Sequence, residues 1–407
     1  MEPPVNQADL DLMLLLELIV LTLLAVPAVM SSAYLLILTL LSAPLARPPR
    51  SSRRIQFDIV VPAHNEAVGI QSTVRSLSEM DWDKDRMRIH VVADNCTDDT
   101  AQLAADAGAR VMVRHHAELR GKGYALAYAF EKCLADGWSD AIVVVDADSS
   151  VSSNLLEALA ARIERGERAI QAHYGIRNPM KSWRTLLVTV AMGAFHIVRS
   201  RARDRLGLSA GIRGNGWCVT TGALREVPYH AFSLTEDLEY GVRLGLAGIR
   251  VAYADEASSN GDMVSSAAIA SRQRQRWESG RFEMTRKFAL PTLVSALRHF
   301  DAVQLDLALD LLVLPLSYVV MNTVALVLGG FAAGWWWSHP EALTFGWLGI
   351  YCFVALVIHV ARGWQVSGTG LPGLLALTCA PFYIVWKLAI MLGEKSKEWV
   401  RTEREIQ

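Results

Sequence analysis

Apolar residues are concentrated towards the two ends of the chain, and a more polar region lies between them. Residues 12–41 are almost wholly apolar, and three further apolar segments cover residues 303–334, 345–360 and 371–392. A helix needs about 20 such residues to cross the hydrocarbon core of a bilayer. We predict four membrane spans and three regions: residues 1–50 as a first span with a basic linker, 51–300 as the main domain, and 301–407 as a C-terminal membrane region with a basic tail.

Charged residues around the first span predict the side of the membrane on which the main domain lies. Acidic residues precede this span (Glu2, Asp9 and Asp11), and arginines follow it (Arg47, Arg50, Arg53 and Arg54). Under the positive-inside rule the main domain is therefore cytosolic. Three spans after it would place the basic tail outside, which the same rule disfavours. The basic residues of this tail are Lys395, Lys397, Arg401 and Arg404. We therefore expect one C-terminal segment to be re-entrant or interfacial, or residues 303–334, which contain Pro315, not to form a simple crossing.

Within the main domain, short apolar runs alternate with helical patterns. Residues 57–62, 88–93, 110–113 and 141–145 are strand-like, and residues 68–80, 99–108 and 123–135 have helical periodicity. This alternation predicts an α/β fold with a doubly wound, mostly parallel sheet. Residues 183–197 have an apolar face but are too few to cross a membrane, so we predict an interfacial helix there.

The composition narrows the classes of partner. With 40 basic and 41 acidic residues the formal net charge is −1, which does not indicate a nucleic-acid partner. The five cysteines lie far apart and form no C-x-x-C pair, so neither a disulfide framework nor a zinc site is indicated. A reducing, cytosol-facing environment for the main domain fits this pattern.

Polar residues follow three of the predicted strands. Pro62-Ala63-His64-Asn65-Glu66 ends the first strand, Asp94 follows the second, and Asp146-Ala147-Asp148 follows residues 141–145. Doubly wound sheets bind ligands beyond the carboxyl ends of their strands, so these loops predict a site at that edge. The two aspartates suit a hard divalent cation, and such a cation can clamp a diphosphate.

Two later motifs complete the candidate chemistry. Thr235-Glu236-Asp237 contains Asp237, which we predict to be a general base that takes a proton from an acceptor hydroxyl. Gln273-Arg274-Gln275-Arg276-Trp277 contains Arg276, which would stabilise charge on a departing diphosphate, and Trp277, whose flat face suits a sugar ring.

In their order, these motifs make the chain resemble the membrane-embedded family-2 glycosyltransferases, the group that contains poly-N-acetylglucosamine, chitin-oligosaccharide, hyaluronan and cellulose synthases. The resemblance covers nearly the whole chain and includes Ala93-Asp94-Asn95 and Gly121-Lys122-Gly123. It implies a GT-A-type domain, a nucleotide-sugar donor that is usually a UDP-sugar, a requirement for Mg²⁺ or Mn²⁺, and inversion to a β-linkage.

The residue types and the resemblance together assign a role to each position. We expect the donor to contact Pro62, His64, Asn65, Glu66, Asp94, Lys122 and Asp146. Asp148 is the expected metal ligand, together with Asp146, and Asp237 and Arg276 are the expected catalytic residues. The acceptor is expected to contact Asn215, Trp217, Glu236, Gln273 and Trp277.

Each motif also has a purely structural interpretation. Asp94 could cap the next helix, residues 235–240 could be an acidic first helical turn, and residues 121–123 could be a flexible loop. Residues 272–281 could lie as a basic surface against anionic lipid headgroups. Asp146 and Asp148 could be a solvated strand end, and His64 a surface residue.

These expectations lead to one function and two alternatives. We expect an integral protein of the bacterial inner membrane that elongates a β-linked surface polysaccharide at the cytoplasmic face. The alternatives are single transfer to a lipid or lipid-linked acceptor, and a non-catalytic, nucleotide-binding transporter. The few charges in the predicted spans, and the presence of Asp148, Asp237 and Arg276, favour an enzyme. Since four spans enclose little space, export of a polymer would need interfacial helices, a small partner subunit or a homo-oligomer.

Overall fold

The computed structural model describes residues 7–264, 267–336 and 339–391. The main domain is built on one eight-stranded sheet with the order β3-β2-β1-β4-β7-β6-β8-β5. In chain order the strands are β1 Phe57–Ala63, β2 Met87–Asp94, β3 Arg110–Arg114, β4 Ala141–Val144, β5 Ser150–Val151, β6 Ala169–Ile176, β7 Trp217–Thr220 and β8 Val251–Gly261.

The helices pack on both faces of this sheet and continue into a separate apolar bundle. In chain order they are α1 Gln7–Leu40, α2 Ile70–Ser78, α3 Thr100–Asp106, α4 Lys122–Asp136, α5 Leu155–Ile163, α6 Trp183–Met192, α7 Arg199–Arg205, α8 Thr221–Glu226, α9 Glu236–Leu246, α10 Ala267–His299, α11 Ala302–Leu312, α12 Leu316–Trp336, α13 Pro340–Ser367, α14 Gly370–Ala376 and α15 Ala380–Met391.

The first four strands have the predicted architecture. β1 pairs in parallel with both β2 and β4, and β2 pairs in parallel with β3. Successive side chains of β1 point to opposite faces: Ile59 and Val61 pack in the core with α2 and α5, whereas Val60 packs in the core with α4. Because both faces are covered, β1 is apolar almost throughout, as a buried parallel strand is.

The second half of the sheet is mixed. β7 runs antiparallel to β4 and to β6, and β5 runs antiparallel to β8. The prediction of a mostly parallel sheet therefore describes the first four strands, and the whole sheet is a mixed one. β7 has four residues and β5 has two, which is too short for a periodic pattern, and their direction depends on partners that are distant in the chain.

Several helices connect the sheet to the apolar bundle. α6 contacts β6 and α13, α7 contacts β8 and α1, and α10 contacts α9 and α15. The helix predicted at residues 183–197 is present: it begins after the capping residue Ser182, and α6 continues through a π-helical turn at Gly193–Val198 into α7.

Four helical segments of the described chain are long and apolar enough to cross a membrane: Leu12–Leu40, Leu316–Trp335, Pro340–Ser367 and Gly370–Ala389. The apolar segment 303–334 is divided into α11 and α12 by residues 313–315, where Pro315 lacks the N–H that a continuous helix needs. The segment is therefore not one continuous helix, and the number of crossings that it makes stays a prediction. The basic residues of the C-terminal tail lie outside the described residues.

An ion pair ties the last apolar segment to α10. Lys387 of α15 donates to Glu278 of α10 at 2.5 Å and to the hydroxyl oxygen of Ser317 in α12 at 2.8 Å. The position of α10, which carries residues 273–277, is thereby coupled to two apolar helices.

Candidate active site

One large cavity, of about 1610 Å³, contains most of the residues that the sequence singles out. It extends from the carboxyl ends of β1, β2 and β4, past α9 and α10, to the apolar helices. The predicted site residues that line it are Pro62, His64, Glu66, Asp94, Lys122, Asp146, Asp148, Glu236, Asp237, Gln273, Arg276 and Trp277. The parallel strands bring the first loops together, as expected from their shared edge.

Asp94 is held by its neighbours at the end of β2. Arg114 of β3 donates to Asp94 Oδ1 at 2.5 Å, and Asn95 donates to the same oxygen at 3.1 Å. His64 Nδ1 lies 2.7 Å from the Asp94 carbonyl oxygen, and because a carbonyl can only accept, this nitrogen carries the proton. Asp94 does not cap α3, whose N-cap residue is Asp99. This arrangement fits a side chain fixed for ligand contact at the cavity wall.

Asn65 has a different position from the one predicted. It has a left-handed backbone conformation, with φ of 54°, and its side-chain oxygen accepts from the backbone N–H of Thr97 at 2.7 Å. Asn65 is outside the cavity lining. Its contacts join the loop after β1 to the loop after β2, so we assign it a role in loop geometry, and its contact with the donor stays a prediction.

Lys122 links three loops of the site. Its Nζ lies 2.6 Å from Asp146 Oδ1, 2.6 Å from the Gly214 carbonyl oxygen and 3.7 Å from Glu236 Oε1. Burial opposes the charged form, but the carboxylates of Asp146 and Glu236 outweigh it and raise the pKa of Lys122. The lysine is therefore a cation at neutral pH. Only glycine fits at the next position, 123, because a Cβ there would lie 2.4 Å from the Ala231 carbonyl oxygen.

Asn215 positions the aspartate loop from behind. It is fully buried, its side-chain oxygen accepts from the Asp146 backbone N–H at 3.1 Å and from Ser259 at 2.8 Å, and its amide donates to Ser149 at 2.8 Å. Asn215 does not line the cavity. These contacts replace the predicted acceptor contact with a positioning role.

Trp217 is also removed from the predicted acceptor contacts. Only 1% of its surface is exposed, and its ring packs edge-on against Phe130 of α4 and beside Tyr240 of α9. It stands in β7, directly opposite Val144. The sequence correctly places this residue near the site, but strand pairing directs its ring into the core.

Asp237 and Glu236 form the first turn of α9 and line the cavity. A helix N-terminus stabilises carboxylates, which would lower both pKa values. Burial has the larger effect on Asp237 and raises its pKa. Burial also raises the pKa of Glu236, to about 7, with Asp237 adding to the rise and Lys122 opposing it. A carboxylate that holds its proton more tightly is a stronger base, so this pair is suited to proton transfer near neutral pH.

Gln273, Arg276 and Trp277 lie along one stretch of α10 and face the same cavity. Trp277 packs on an apolar cluster that contains Val188, Met192 and Met263. The guanidinium of Arg274 lies 4.7 Å from the centre of the Trp277 ring. Gln273 brings a side-chain oxygen that has no hydrogen-bond partner in the described part of the chain. The predicted surface role of residues 272–281 does not account for this inward face.

Several cavity residues were missed by the sequence analysis. Burial raises the pKa of Tyr174, and the nearby carboxylates of Asp146, Asp148 and Asp237 raise it further, which places this hydroxyl among the three key carboxylates. Tyr174 belongs to no motif, so no sequence signal identified it. Two arginines, Arg199 and Arg213, also line the cavity, and their signal was the dense run of arginines between residues 199 and 213.

The residues present fit a divalent cation at the aspartate loop. Asp146 and Asp148 offer hard oxygen ligands inside the cavity, and Asp146 already holds a cation, the ammonium group of Lys122, at 2.6 Å. A second candidate group, formed by Asp58, His90 and Cys133, lies at the start of β1 and in the core. There Asp58 Oδ1 already accepts from Arg88 at 3.0 Å and lies 2.9 Å from His90 Nε2, so we assign it to the structural network of the sheet.

The cavity changes character towards the apolar helices. In that direction its walls come from α12, α13 and the α14–α15 segment. Most of the lining side chains there are aliphatic, and the others are aromatic (Phe353, Trp364 and Tyr383) or polar (Ser317, His359 and Lys387). Lining residues on α12 run from Leu316 to Leu328, which is about 18 Å along a helix axis. We call this part the apolar branch. This length along α12 is more than half the thickness of a hydrocarbon core, which is about 30 Å.

Comparison with known proteins adds a family and several relatives. A family model described as glycosyltransferase like family 2 matches residues 54–280. The chain is 26% identical over 249 residues to the beta-monoglucosyldiacylglycerol synthase of a Nostoc species, covering 58% of this chain and 52% of that protein. It is 32% identical over 110 residues to cellulose synthase 1 of Komagataeibacter xylinus, covering 26% of this chain and 7% of that protein.

Among solved structures, the chain is similar to the mannosyltransferase PcManGT from Pyrobaculum calidifontis in complex with GDP-Man and Mn²⁺. The TM-score is 0.49 at 17% identity, with 82% of this chain and 98% of that chain covered. The chain spans about half the length of the first curated relatives it matches.

Proposed function

The chain belongs to glycosyltransferase family 2, and we propose that it transfers a sugar, with inversion, from a UDP-sugar to a hydroxyl group of a membrane-held lipid acceptor. One observation carries the proposal. The carboxylates of Asp146, Asp148 and Asp237 and the guanidinium of Arg276 line a cavity that continues between apolar helices of membrane length. A soluble acceptor would need no such continuation.

We assign the donor to the edge formed by β1, β2 and β4. Asp94 and Glu66 lie where the base and ribose would sit, and Lys122 would face the diphosphate as a point charge. Asp148 and Asp146 would hold Mg²⁺ or Mn²⁺, and the bound ion would supply positive charge to the diphosphate. On donor binding, Lys122 has to exchange part of its contact with Asp146 for contact with phosphate oxygen.

The transfer itself requires one proton acceptor and stabilisation of one leaving group. The acceptor oxygen attacks the anomeric carbon from the face opposite the diphosphate, its proton passes to Asp237, and the bond to the diphosphate oxygen breaks with its electron pair. UDP is released, and the new glycosidic bond has the inverted configuration. Arg276 and Lys122 would stabilise the negative charge that grows on the diphosphate. No covalent enzyme intermediate is needed.

The lipid acceptor is favoured by the chemistry of the apolar branch. A translocating polysaccharide would need polar or aromatic groups all along its path, whereas aliphatic side chains make up most of the walls of this branch. Acyl or isoprenoid chains match such walls because their burial is favourable at about 25 cal/mol per Å². The single transfer to a lipid, an alternative at the level of sequence, thereby becomes the leading proposal.

Elongation of a β-linked polysaccharide is the second candidate. Trp277 and Gln273 at the cavity wall favour it, because a flat ring beside a polar group suits the terminal sugar of a chain. Export of a polymer would then require a route formed with a partner subunit or a second copy.

Orientation completes the proposal. The four arginines that follow α1 favour a cytoplasmic main domain under the positive-inside rule. The main domain and the interfacial helices would then meet the cytoplasmic leaflet, with the apolar branch open towards its lipids.

The experiment is UDP release by purified protein in lipid nanodiscs, measured against a panel of UDP-sugars with Mg²⁺, Mn²⁺ or EDTA, followed by mass analysis of the lipid extract and the aqueous phase. Metal-dependent release with one donor, and one added hexose mass on a lipid, is the expected result. A ladder of sugar masses would assign polymer elongation. The proposal fails if folded protein releases no UDP with any donor in membranes that supply its native lipids.

A further inference from the structure

A group of arginines lies between the catalytic carboxylates and the apolar branch. Arg199, Arg213 and Arg281 line the cavity, and we call these three residues the arginine cluster. Arg203 is fully buried directly behind them and is outside the cavity lining. The proposed reaction uses none of these residues.

The cluster carries more positive charge than its neighbours compensate. Asp306 and Asp310 of α11 pair with Arg203, each at 3.0 Å, and Asp310 also contacts Arg199. Among the described residues, only these two carboxylates lie within ion-pair distance of the four arginines. Arg281 donates to the carbonyl oxygens of Asp310 and Val313, which carry no net charge.

Arg213 has no carboxylate within ion-pair distance among the described residues. Only 6% of its surface is exposed, one terminal nitrogen donates to the Ala210 carbonyl at 2.8 Å, and its Nε has no partner in the described chain. Arg199 is 5% exposed, and its Nε is likewise without a partner there. Buried N–H groups of charged side chains are costly to leave unpaired, so their retention at a cavity wall indicates a ligand.

The guanidinium groups are held in place before any ligand arrives. The carbon centres of Arg213 and Arg199 lie 4.3 Å and 4.7 Å from the ring centre of Phe195, which also lines the cavity. Burial lowers the pKa of Arg213 to about 9, and the neighbouring Arg203 and Arg281 contribute to the lowering. The negative charge of a bound anion would raise the pKa of Arg213 and so oppose the effect of Arg203 and Arg281.

The charged groups around Arg213 define where the anion can lie. On the catalytic side the Asp237 carboxylate acts on Arg213 electrostatically, and a Cβ added to the adjoining Gly214 would lie 3.2 Å from Asp237 Oδ2. On the membrane side, Glu278 faces Arg281 but is already paired with Lys387. The uncompensated positive charge of the arginine cluster therefore lies at the part of the cavity between Asp237 and the beginning of α12.

We propose that the acceptor is an anionic lipid whose headgroup phosphate is bound by Arg199, Arg213 and Arg281, with its chains in the apolar branch and a headgroup hydroxyl at Asp237. The phosphate site stands on the arginine cluster alone, and the assignment of this lipid as acceptor rests on the proposed function. Guanidinium groups suit a phosphate because they donate paired, charge-assisted hydrogen bonds. A neutral diacylglycerol has a hydroxyl and chains but cannot compensate the cluster.

Binding is tested apart from transfer. Full-length protein in detergent would be titrated with phosphatidylglycerol, with diacylglycerol of the same acyl chains, and with inorganic phosphate, and bound molecules would be counted by native mass spectrometry. The variants are Arg213→Gln and Arg213→Lys, with Arg298→Gln as the matched control. Arg298 lies on α10, is exposed and is outside the cavity lining. Its substitution therefore removes one positive charge from the protein surface and none from the cavity.

We expect phosphatidylglycerol to bind about tenfold or more tightly than diacylglycerol, since one charge-assisted contact to phosphate is worth about 1.5–3 kcal/mol. Arg213→Gln should remove this preference, Arg213→Lys should retain part of it, and Arg298→Gln should leave it unchanged. Equal binding of both lipids, or an unchanged preference in Arg213→Gln protein that melts like the wild type, overturns the phosphate site. Inorganic phosphate that binds as tightly as the lipid overturns the lipid source.

Two further readouts separate this inference from the proposed function. If UDP affinity falls in Arg213→Gln as much as lipid affinity does, the cluster belongs to the donor and the inference is overturned. If phosphatidylglycerol binds with the expected preference but receives no sugar while another acceptor does, the phosphate site stands and the acceptor assignment fails. If no acceptor of any class receives sugar, the proposed function fails while the phosphate site stands on its own measurement.

Discussion

Lys122 Nζ lies 2.6 Å from Asp146 Oδ1, so the first carboxylate of Asp146-Ala147-Asp148 is already paired with a cation that the chain itself provides. The same ammonium group lies 3.7 Å from Glu236, beside the candidate base. One lysine thus neutralises carboxylates from two separate motifs. Donor binding has to reorganise this pair, which gives the residue a measurable role in both affinity and pH dependence.

Lys122→Met should lower UDP affinity by about tenfold, because one charge-assisted contact to phosphate is lost. It should also raise the pKa of Glu236 further, since Lys122 opposes the rise that burial causes. Calorimetric titration of UDP and a pH profile of transfer measure both effects. Lys132→Met is the control, because Lys132 is an exposed residue of the same helix. Wild-type affinity in Lys122→Met would remove the lysine from the donor site.

Asp237→Asn should lower the transfer rate by about 10²–10⁴-fold, the usual contribution of a positioned base, while UDP still binds. The amide keeps the shape of the side chain but cannot accept the acceptor proton. Single-turnover transfer and UDP titration separate the two quantities. Asp106→Asn, an exposed change on α3, controls for loss of an acidic residue. Unchanged transfer would exclude Asp237 as the base.

The transfer rate should rise with pH through the neutral range and then level off. A general base works only when ionised, and burial raises the pKa of both Asp237 and Glu236, the latter to about 7. Lowering the pH through this range protonates the pair and removes the base. Glu236→Gln removes the like charge beside Asp237, so the acidic limb should move to lower pH. Carboxylates with pKa values raised towards 7 titrate between about pH 5 and 8. A transfer rate that does not change across this range contradicts the assignment.

Asp148→Ala should abolish the metal dependence of donor binding. Wild-type protein is expected to bind UDP more tightly with Mn²⁺ than with EDTA, whereas the variant should bind weakly under both conditions. Calorimetry with and without the ion measures the difference, and Mn²⁺ paramagnetic resonance reports the ion directly. If the variant keeps the full response to Mn²⁺, the metal is held elsewhere in the site.

Val324→Trp should impair transfer to a lipid while UDP binding is retained. Val324 is an α12 residue at the wall of the apolar branch, and an indole ring there would occupy space assigned to acceptor chains. Initial rates at increasing lipid concentration should show a raised KM. Ile37→Trp is the control, since Ile37 is an exposed residue of α1 outside the cavity lining. Equal KM values in the two variants would remove the lipid from this branch.

The sequence predicted the parts of the site that follow from strand direction. Residues 62–66, Asp94 and Asp146 follow parallel strands, so one rule places them all at a common edge, and the structure has them there. Asn215 and Trp217 show where this reasoning stops. Both lie in the correct neighbourhood, but whether a side chain faces the cavity or the core depends on strand register, and β7 pairs with strands that are distant in the chain.

The sequence shows a dense run of arginines between residues 199 and 213, but it does not show that they form one cluster with Arg281. Arg199, Arg213 and Arg281 come from three separate segments, and only the packing of α7, α10 and α11 brings them to one wall. The position of Tyr174 could not be predicted either, because the carboxylates that act on it come from other parts of the chain. The break between α11 and α12 could be predicted in part from the sequence, because Pro315 lies at it.

With the apolar helices in a bilayer, the contact between Lys387 and Glu278 would couple the last apolar segment to the part of α10 that lines the candidate active site. Glu278 follows Trp277 directly in α10, and Lys387 lies in the last apolar segment. A change in bilayer thickness that tilts this segment would pull on the stretch that holds Arg276 and Trp277. The same protein reconstituted in lipids of increasing chain length would therefore report hydrophobic mismatch as a change in turnover.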